Sequence, residues 1–222
     1  SVAQGIEAQR HAYQRMTAYF ARPRPADIVV RDSRIKGVST RCYQSQYLST
    51  AQLGQAAQTD QPSATPQRSL FAHGGGWYVG GVDSHDSFCA QLAQDTNMTV
   101  IAVAYGLAPE APYPAGLDDL TQVYLTLLAQ DPAPILLLGD SAGANLMAAL
   151  AQRCVSRSLP KAQGQVLIYP ALSAADTLPS HKALADAPLL DSASMAFCWR
   201  QYISPKTMSS TADANDAELH PL

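Results

Sequence analysis

Charge is scarce in this chain. Asp, Glu, Lys and Arg make up 15% of its 222 residues, against roughly 25% in an average soluble domain. The balance is slightly acidic, with 15 Lys and Arg against 18 Asp and Glu, and no basic cluster stands out along it. Without a basic stripe the chain lacks the electrostatic footprint that holds phosphate backbones, so no nucleic acid is expected as a partner. Long hydrophobic runs are lacking too. A run such as Ile135-Leu136-Leu137-Leu138 is four residues long, where a bilayer span needs about 20; no integral membrane segment is expected. Cysteine is limited to positions 42, 89, 154 and 198, with no CxxC pair and no zinc-ligand spacing. These four read as reduced, mostly buried small hydrophobes. No metal is expected, and a cytoplasmic location fits. No basic-then-apolar leader ending in small residues opens the sequence, so no signal peptide is expected.

What the chain has is apolar residues, 47% of the total, enough for one domain with a sizeable core and too short a length for two full ones. Ile6, Tyr13, Met16 and Phe20 recur at helical spacing and predict a first helix with one apolar face, stopped by Pro23 and Pro25. Residues 27–48 suit extended structure, and the Gln-, Ala- and Pro-rich stretch 51–67 reads as a loop. A rhythm then sets in. Short apolar strands are expected at 69–72, 99–105, 135–139 and 165–169. Helices between them are marked by Phe88, Cys89 and Leu92, by Leu117, Leu120, Tyr124 and Leu127 after a helix-opening Pro114, and by Leu146, Met147, Leu150 and Cys154. Continuous apolar strands alternating with helices predict an α/β fold, a mostly parallel sheet covered on both faces. Ligands of such sheets bind at the carboxyl ends of the strands, here just after Ala72, Tyr105 and Gly139. Beyond Pro170 the rhythm fails. Residues 171–191 read as irregular, Met195, Cys198, Trp199 and Tyr202 predict a further helix, and 209–218 form a polar tail.

Two of the three strand ends carry motifs. Gly139-Asp140-Ser141-Ala142-Gly143 fits the pattern G-x-S-x-G of a nucleophile elbow, between an apolar strand and a helix. A sharp turn there lifts the Ser141 hydroxyl off the sheet, and side chains at 139 or 143 would clash with the neighbouring backbone. The turn also leaves the Ala142 N–H unpaired at a helix N-terminus, facing any negative charge. The plainer alternative is a structural turn with a helix-capping serine. His73-Gly74-Gly75-Gly76-Trp77 follows the strand ending at Ala72. Three glycines give a backbone that can aim N–H groups at the oxyanion of an acyl-transfer intermediate. A hinge is the blander alternative, and a phosphate loop would want a Lys-Ser/Thr pair or GxGxxG spacing that is absent.

Together the motifs resemble the hormonesensitive-lipase-like (bacterial family IV) esterases of the α/β-hydrolase superfamily. The resemblance extends over Gly80 to His85, Ala104-Tyr105-Gly106-Leu107-Ala108-Pro109-Glu110, Tyr113-Pro114-Ala115-Gly116-Leu117-Asp118-Asp119 and Ile168-Tyr169-Pro170. It implies the α/β-hydrolase fold with a helical cap, Ser141 as nucleophile, and an oxyanion hole from Gly75, Gly76 and Ala142, with Gly74 as a further candidate. His73, Asp140, Gly139 and Gly143 become structural support of the site. Residues 1–50 are then expected to hold the N-terminal cap helices and first strands, 51–170 the hydrolase core, and 171–222 a cap insertion leading toward the C-terminal part of the core. Where the family usually has Arg, this chain has Gly106.

A serine hydroxyl needs a base, and α/β-hydrolases place Asp or Glu and then His after the serine. The family sets both after later strands, which this sequence does not contain, so the catalytic Asp and His are expected outside it and the C-terminal strands with them. His11, His73, His85, His181 and His220 are poor substitutes by position. The expected function is hydrolysis of short- to medium-chain acyl esters through a serine acyl-enzyme, with no cofactor and a small-molecule ester as partner; a homodimer is compatible. The alternatives are a catalytically incomplete α/β-hydrolase that binds a small ligand, and an amidase or deacetylase of the same fold.

Overall fold

The computed structural model describes residues 5–47, 67–173, 179–203 and 218–221. Most of the stretch read as a loop at 51–67, and most of the polar tail, lie outside them. The described chain forms six strands, β1 (Ile28–Ile35), β2 (Val38–Ser45), β3 (Arg68–Ala72), β4 (Thr99–Ala104), β5 (Ile135–Asp140) and β6 (Gly164–Ile168). Its helices are α1 (Ile6–Phe20), α2 (Asp86–Thr96), α3 (Ala115–Gln130), α4 (Ser141–Ser156), α5 (Pro179–Ala183) and α6 (Ser192–Tyr202). The strands make one sheet in the order β1-β2-β4-β3-β5-β6. β3–β4, β3–β5 and β5–β6 pair in parallel; β1–β2 and β2–β4 are antiparallel. Lys36 and Gly37, both at positive φ, close the β1–β2 hairpin, the backbone that a two-residue turn matched to strand twist requires.

Side-chain alternation splits the core in two. Leu70 and Ala72 of β3 join Val103, Leu120, Tyr124, Leu137, Leu146 and Leu150 beneath α3 and α4. Phe71, between them, joins Ala90, Ala93, Val100, Ala102 and Leu138 beneath α2. A sheet covered on both faces is what lets β3 and β5 be apolar at successive positions. α4 is buried from Ala142 through Leu150 without a break.

The chain leaves β3 for β4 on one side and returns past it to β5 on the other, so β3 and β5 flank a topological switch point. Ala72 is in register with Gly139. Such a point opens a crevice at the carboxyl ends of the strands, and both motifs lie there.

The first helix forms as expected, with Met16 and Phe20 46% and 73% exposed, and it is held by Arg10. Its Nε donates to the Tyr78 carbonyl at 2.7 Å, Nη2 donates to the Ala108 carbonyl at 2.9 Å, and the guanidinium pairs with Glu110. Pro114 stands at the N-cap of α3, where it opens the helix. One expectation needs correction: the stretch 171–191, read as irregular, contains the short helix α5.

Candidate active site

The elbow is built by sterics. Ser141 has φ 51°, a left-handed conformation that costs a non-glycine residue about 1–3 kcal/mol. The turn is tight enough that a Cβ on Gly139 would lie 2.7 Å from the Gly143 carbonyl, and one on Gly143 would overlap the Ala72 carbonyl oxygen. Ser141 is half-buried as the first residue of α4, and no described residue hydrogen-bonds its hydroxyl. Asp140 occupies the N-cap yet makes no capping hydrogen bond. Its carboxylate turns across to the next strand's loop, where Oδ1 accepts the Gly74 N–H at 2.8 Å. The first amides of α4 are thereby left open at the positive end of the helix.

The glycine loop after β3 runs through three successive positive φ values, 124° at Gly75, 55° at Gly76 and 62° at Trp77. The Gly75 carbonyl accepts from the amides of Tyr78 and Val79. Gly75 and Gly76 are half-buried, and their N–H groups have no acceptor among the described residues. Gly74 differs. It is buried and its amide is already committed to Asp140, so it is removed from the set of free donors, because a donor satisfied by a carboxylate has nothing to offer a second anion.

His73 lies beneath this loop, 2% exposed. Its Nδ1 donates to the Gly74 carbonyl at 2.8 Å, and its ring stacks on Tyr105 at 4.4 Å and 15°. Tyr105 in turn donates to the His73 carbonyl at 2.6 Å. Burial pushes the imidazole pKa down to about 4, so His73 is a neutral donor to Gly74. His85 precedes α2, with Nε2 3.2 Å from Asp140 Oδ1.

Aromatic packing supports the loop from the other side. Trp77, 1% exposed, stacks on Tyr202 at 4.5 Å and 7° and meets Trp199 at 4.3 Å. Cys198 on α6 lies against Gly76, and burial raises its thiol pKa to about 11. The four cysteines are all unpaired, and three of them are buried. Two cavities flank this packing. One of about 320 Å³ is lined by Tyr13, Met16, Tyr78, Val79, Phe197 and Cys198 among others. The other, about 300 Å³, lies between α5 and α6 and includes Leu184, Leu190, Met195 and Trp199.

The acids near the site fill structural roles. Asp119 accepts the Gly106 amide at 2.8 Å, Asp118 pairs with the buried Arg153, Asp83 pairs with Arg41, and Glu110 holds Arg10. Of the five histidines, none hydrogen-bonds Ser141. His11 is exposed on α1, and His220 packs 5.8 Å from Trp199. Sequence reasoning missed Asn145, fully buried on α4, whose Nδ2 donates to the carbonyls of Ala171 and Leu219. A polar residue one turn after Ser141, within the apolar run Ala142 to Ala151, was the available signal. Among the described residues no group of three His, Cys, Asp or Glu could hold a metal ion, and no helix is long and apolar enough to cross a membrane.

Comparison with known proteins agrees with this architecture. A family model described as the alpha/beta hydrolase fold matches residues 69–222. The esterase LipI of Mycobacterium tuberculosis is 32% identical over the whole of this chain and 70% of its own length. Ethyl acetate hydrolase of Pseudomonas putida is 35% identical over 73% of this chain and 52% of its own, and carboxylesterase NlhH of M. tuberculosis 41% over 55% and 40%. The chain thus spans about half the length of these last two relatives. Among solved structures, DphMB1 superposes with a TM-score of 0.78 at 31% identity, covering 100% of this chain and 68% of that one. An ester-hydrolase from the metagenome of Lake Arreo gives 0.81 at 27%, covering 99% and 67%. Elbow, glycine loop, switch-point sheet and these similarities lead to one assignment: the chain belongs to the α/β-hydrolase fold family.

Proposed function

We propose that the protein hydrolyses short- to medium-chain carboxylic esters through an acyl-enzyme on Ser141. The observation that carries this reading is the pairing of a strained, half-buried serine with open amides on two adjacent strand ends. Attack of Ser141 Oγ on the ester carbonyl converts that oxygen to an oxyanion. The amides of Gly75, Gly76 and Ala142 are its donors, each worth roughly 10²–10³ in rate. Collapse expels the alcohol, and water then releases the acid. His73 and Asp140 support the loop; Gly139 and Gly143 make the turn. The proton of Ser141 needs a base, and with no described histidine bonded to it, the His and its Asp partner are assigned to sequence outside these residues, in the family order.

The cavity of about 320 Å³ that reaches Tyr78 and Val79, just after the loop, is of a size that suits small acyl or alcohol groups. α1, bound to the glycine-loop side by Arg10, acts as the N-terminal cap within 1–50; α5 and α6 belong to the cap insertion of 171–222, and 51–170 form the core. Four unpaired cysteines fit a reducing compartment such as the cytoplasm. β6 pairs with β5 alone among the described residues, which leaves a side for a further strand or for a second copy in a homodimer. Ser141→Ala in the full-length protein is expected to abolish turnover of p-nitrophenyl butyrate and labelling by a fluorophosphonate. Retained turnover would remove Ser141 from the chemistry. Ester affinity without turnover in the parent protein would favour the ligand binder.

A further inference from the structure

We propose that His85 is a positioning residue for the oxyanion loop, acting through Asp140. Its kinetic consequence rests on the ester-hydrolase reading above; its structural consequence does not.

Asp140 joins the two halves of the site. Its backbone ends β5, and its side chain crosses to the loop after β3, where Oδ1 holds the Gly74 amide. A competing arrangement is close at hand. An Asp at a helix N-cap ordinarily accepts from the second or third amide of its own helix, here those of Ala142 and Gly143. That rotamer would release Gly74 and consume the Ala142 N–H, closing the oxyanion hole with the protein's own carboxylate. Something must hold Asp140 outward.

His85 is placed to do so. Its Nε2 lies 3.2 Å from the same Oδ1 that Gly74 uses. The contact needs a proton, since a bare ring nitrogen facing a carboxylate oxygen would repel it. The other ring nitrogen is held by Ser84. Ser84 Oγ accepts the Gly81 amide at 3.0 Å and lies 2.9 Å from His85 Nδ1. With the ring proton on Nε2, Nδ1 accepts from the Ser84 hydroxyl, as a neutral imidazole does. The ring also packs against Phe71, with centroids 5.6 Å apart, and stands 5.8 Å from His73. The imidazole is thus clamped at Nδ1, along its face and at Nε2. The chain of contacts Gly81–Ser84–His85–Asp140–Gly74 sets the start of the loop, and with it the direction of the Gly75 and Gly76 amides.

The test uses the full-length protein labelled with [15N]glycine. His85→Leu keeps the bulk on Phe71 but removes the donor; His85→Gln restores an amide donor near the position of Nε2. In His85→Leu the Gly74 amide proton is expected to move upfield and the Gly75 and Gly76 resonances to shift; in His85→Gln all three return toward the parent positions. With p-nitrophenyl butyrate, kcat of the Leu variant is expected to fall roughly 10- to 100-fold with KM changed less than about threefold, as for a displaced donor set. The Gln variant should regain most of that loss. Ser84→Ala, which frees the Nδ1 end, should give the same pattern at smaller amplitude and serves if His85→Leu does not fold. Unchanged Gly74–Gly76 resonances in a folded variant, or a Gln variant no better than Leu, overturns the proposal. If the resonances respond as stated while the parent protein turns over no ester, the hydrolase reading has failed and the positioning role stands.

Discussion

Gly76 sits directly against Cys198: a Cβ built on the glycine would stand 2.6 Å from the cysteine sulfur. The glycine loop therefore rests on α6, and the φ of 55° at Gly76 adds a second reason for glycine. Gly76→Ala is expected to lower kcat/KM for a p-nitrophenyl ester by at least about 100-fold, the scale of one lost donor. Adding Cys198→Ala removes the closest contact, leaving those at 3.1 Å with Cβ of residue 198 and with Tyr78 and the backbone strain, so the double variant should regain thermal stability more than activity. Full activity in Gly76→Ala would show that this amide does not face the reacting oxygen.

Acid should loosen the site through His73. Its pKa, lowered by burial to about 4, lies below the value of about 6.5 in an unfolded chain. Between those limits the unfolded state binds more protons than the folded one, so stability rises with pH across the window and is lost as pH falls from about 6.5 toward 4. Urea midpoints at pH 4.5, 5.5 and 7 are expected to fall with acidity. His73→Asn, which keeps a donor for the Gly74 carbonyl and cannot titrate, should flatten that slope. An equal slope in the variant would assign the acid sensitivity to other groups.

Arg10 holds α1 mainly through carbonyl oxygens rather than through its ion pair. Glu110 is 65% exposed, and exposed pairs contribute only about 0–1 kcal/mol. Glu110→Gln should therefore cost under about 0.5 kcal/mol, while Arg10→Met, which also abandons the Tyr78 and Ala108 carbonyls, should cost about 1–2 kcal/mol. Chemical denaturation of the two variants decides the matter. Equal losses would mean that the salt bridge dominates.

The alternating strands and helices of the core were legible because each strand is apolar at successive positions and each helix repeats near 3.6, and β3 to β6 fall within one residue of the expected limits. The elbow was legible for the same local reason, since only glycine fits at 139 and 143. What escaped the sequence depends on contacts between distant residues. Nothing local says that the Gly74 amide is claimed by Asp140, 66 residues later. Nor does helical spacing say that α1 leaves Met16 and Phe20 in solvent and docks through Arg10. Asp140 carries the clearest lesson: a residue type that normally caps its own helix is diverted here to a neighbouring loop, and only the packed structure shows the diversion.

Because Ala72 and Gly139 face each other across one parallel ladder, the distance between hydroxyl and loop amides is a measure of strand alignment. Removing a single residue from β3 or β5 would slide one half of the crevice past the other by about 3.3 Å and turn its side chains to the opposite face. The proposed chemistry is thus tied to counting, since a length change within either central strand breaks the alignment of its two halves.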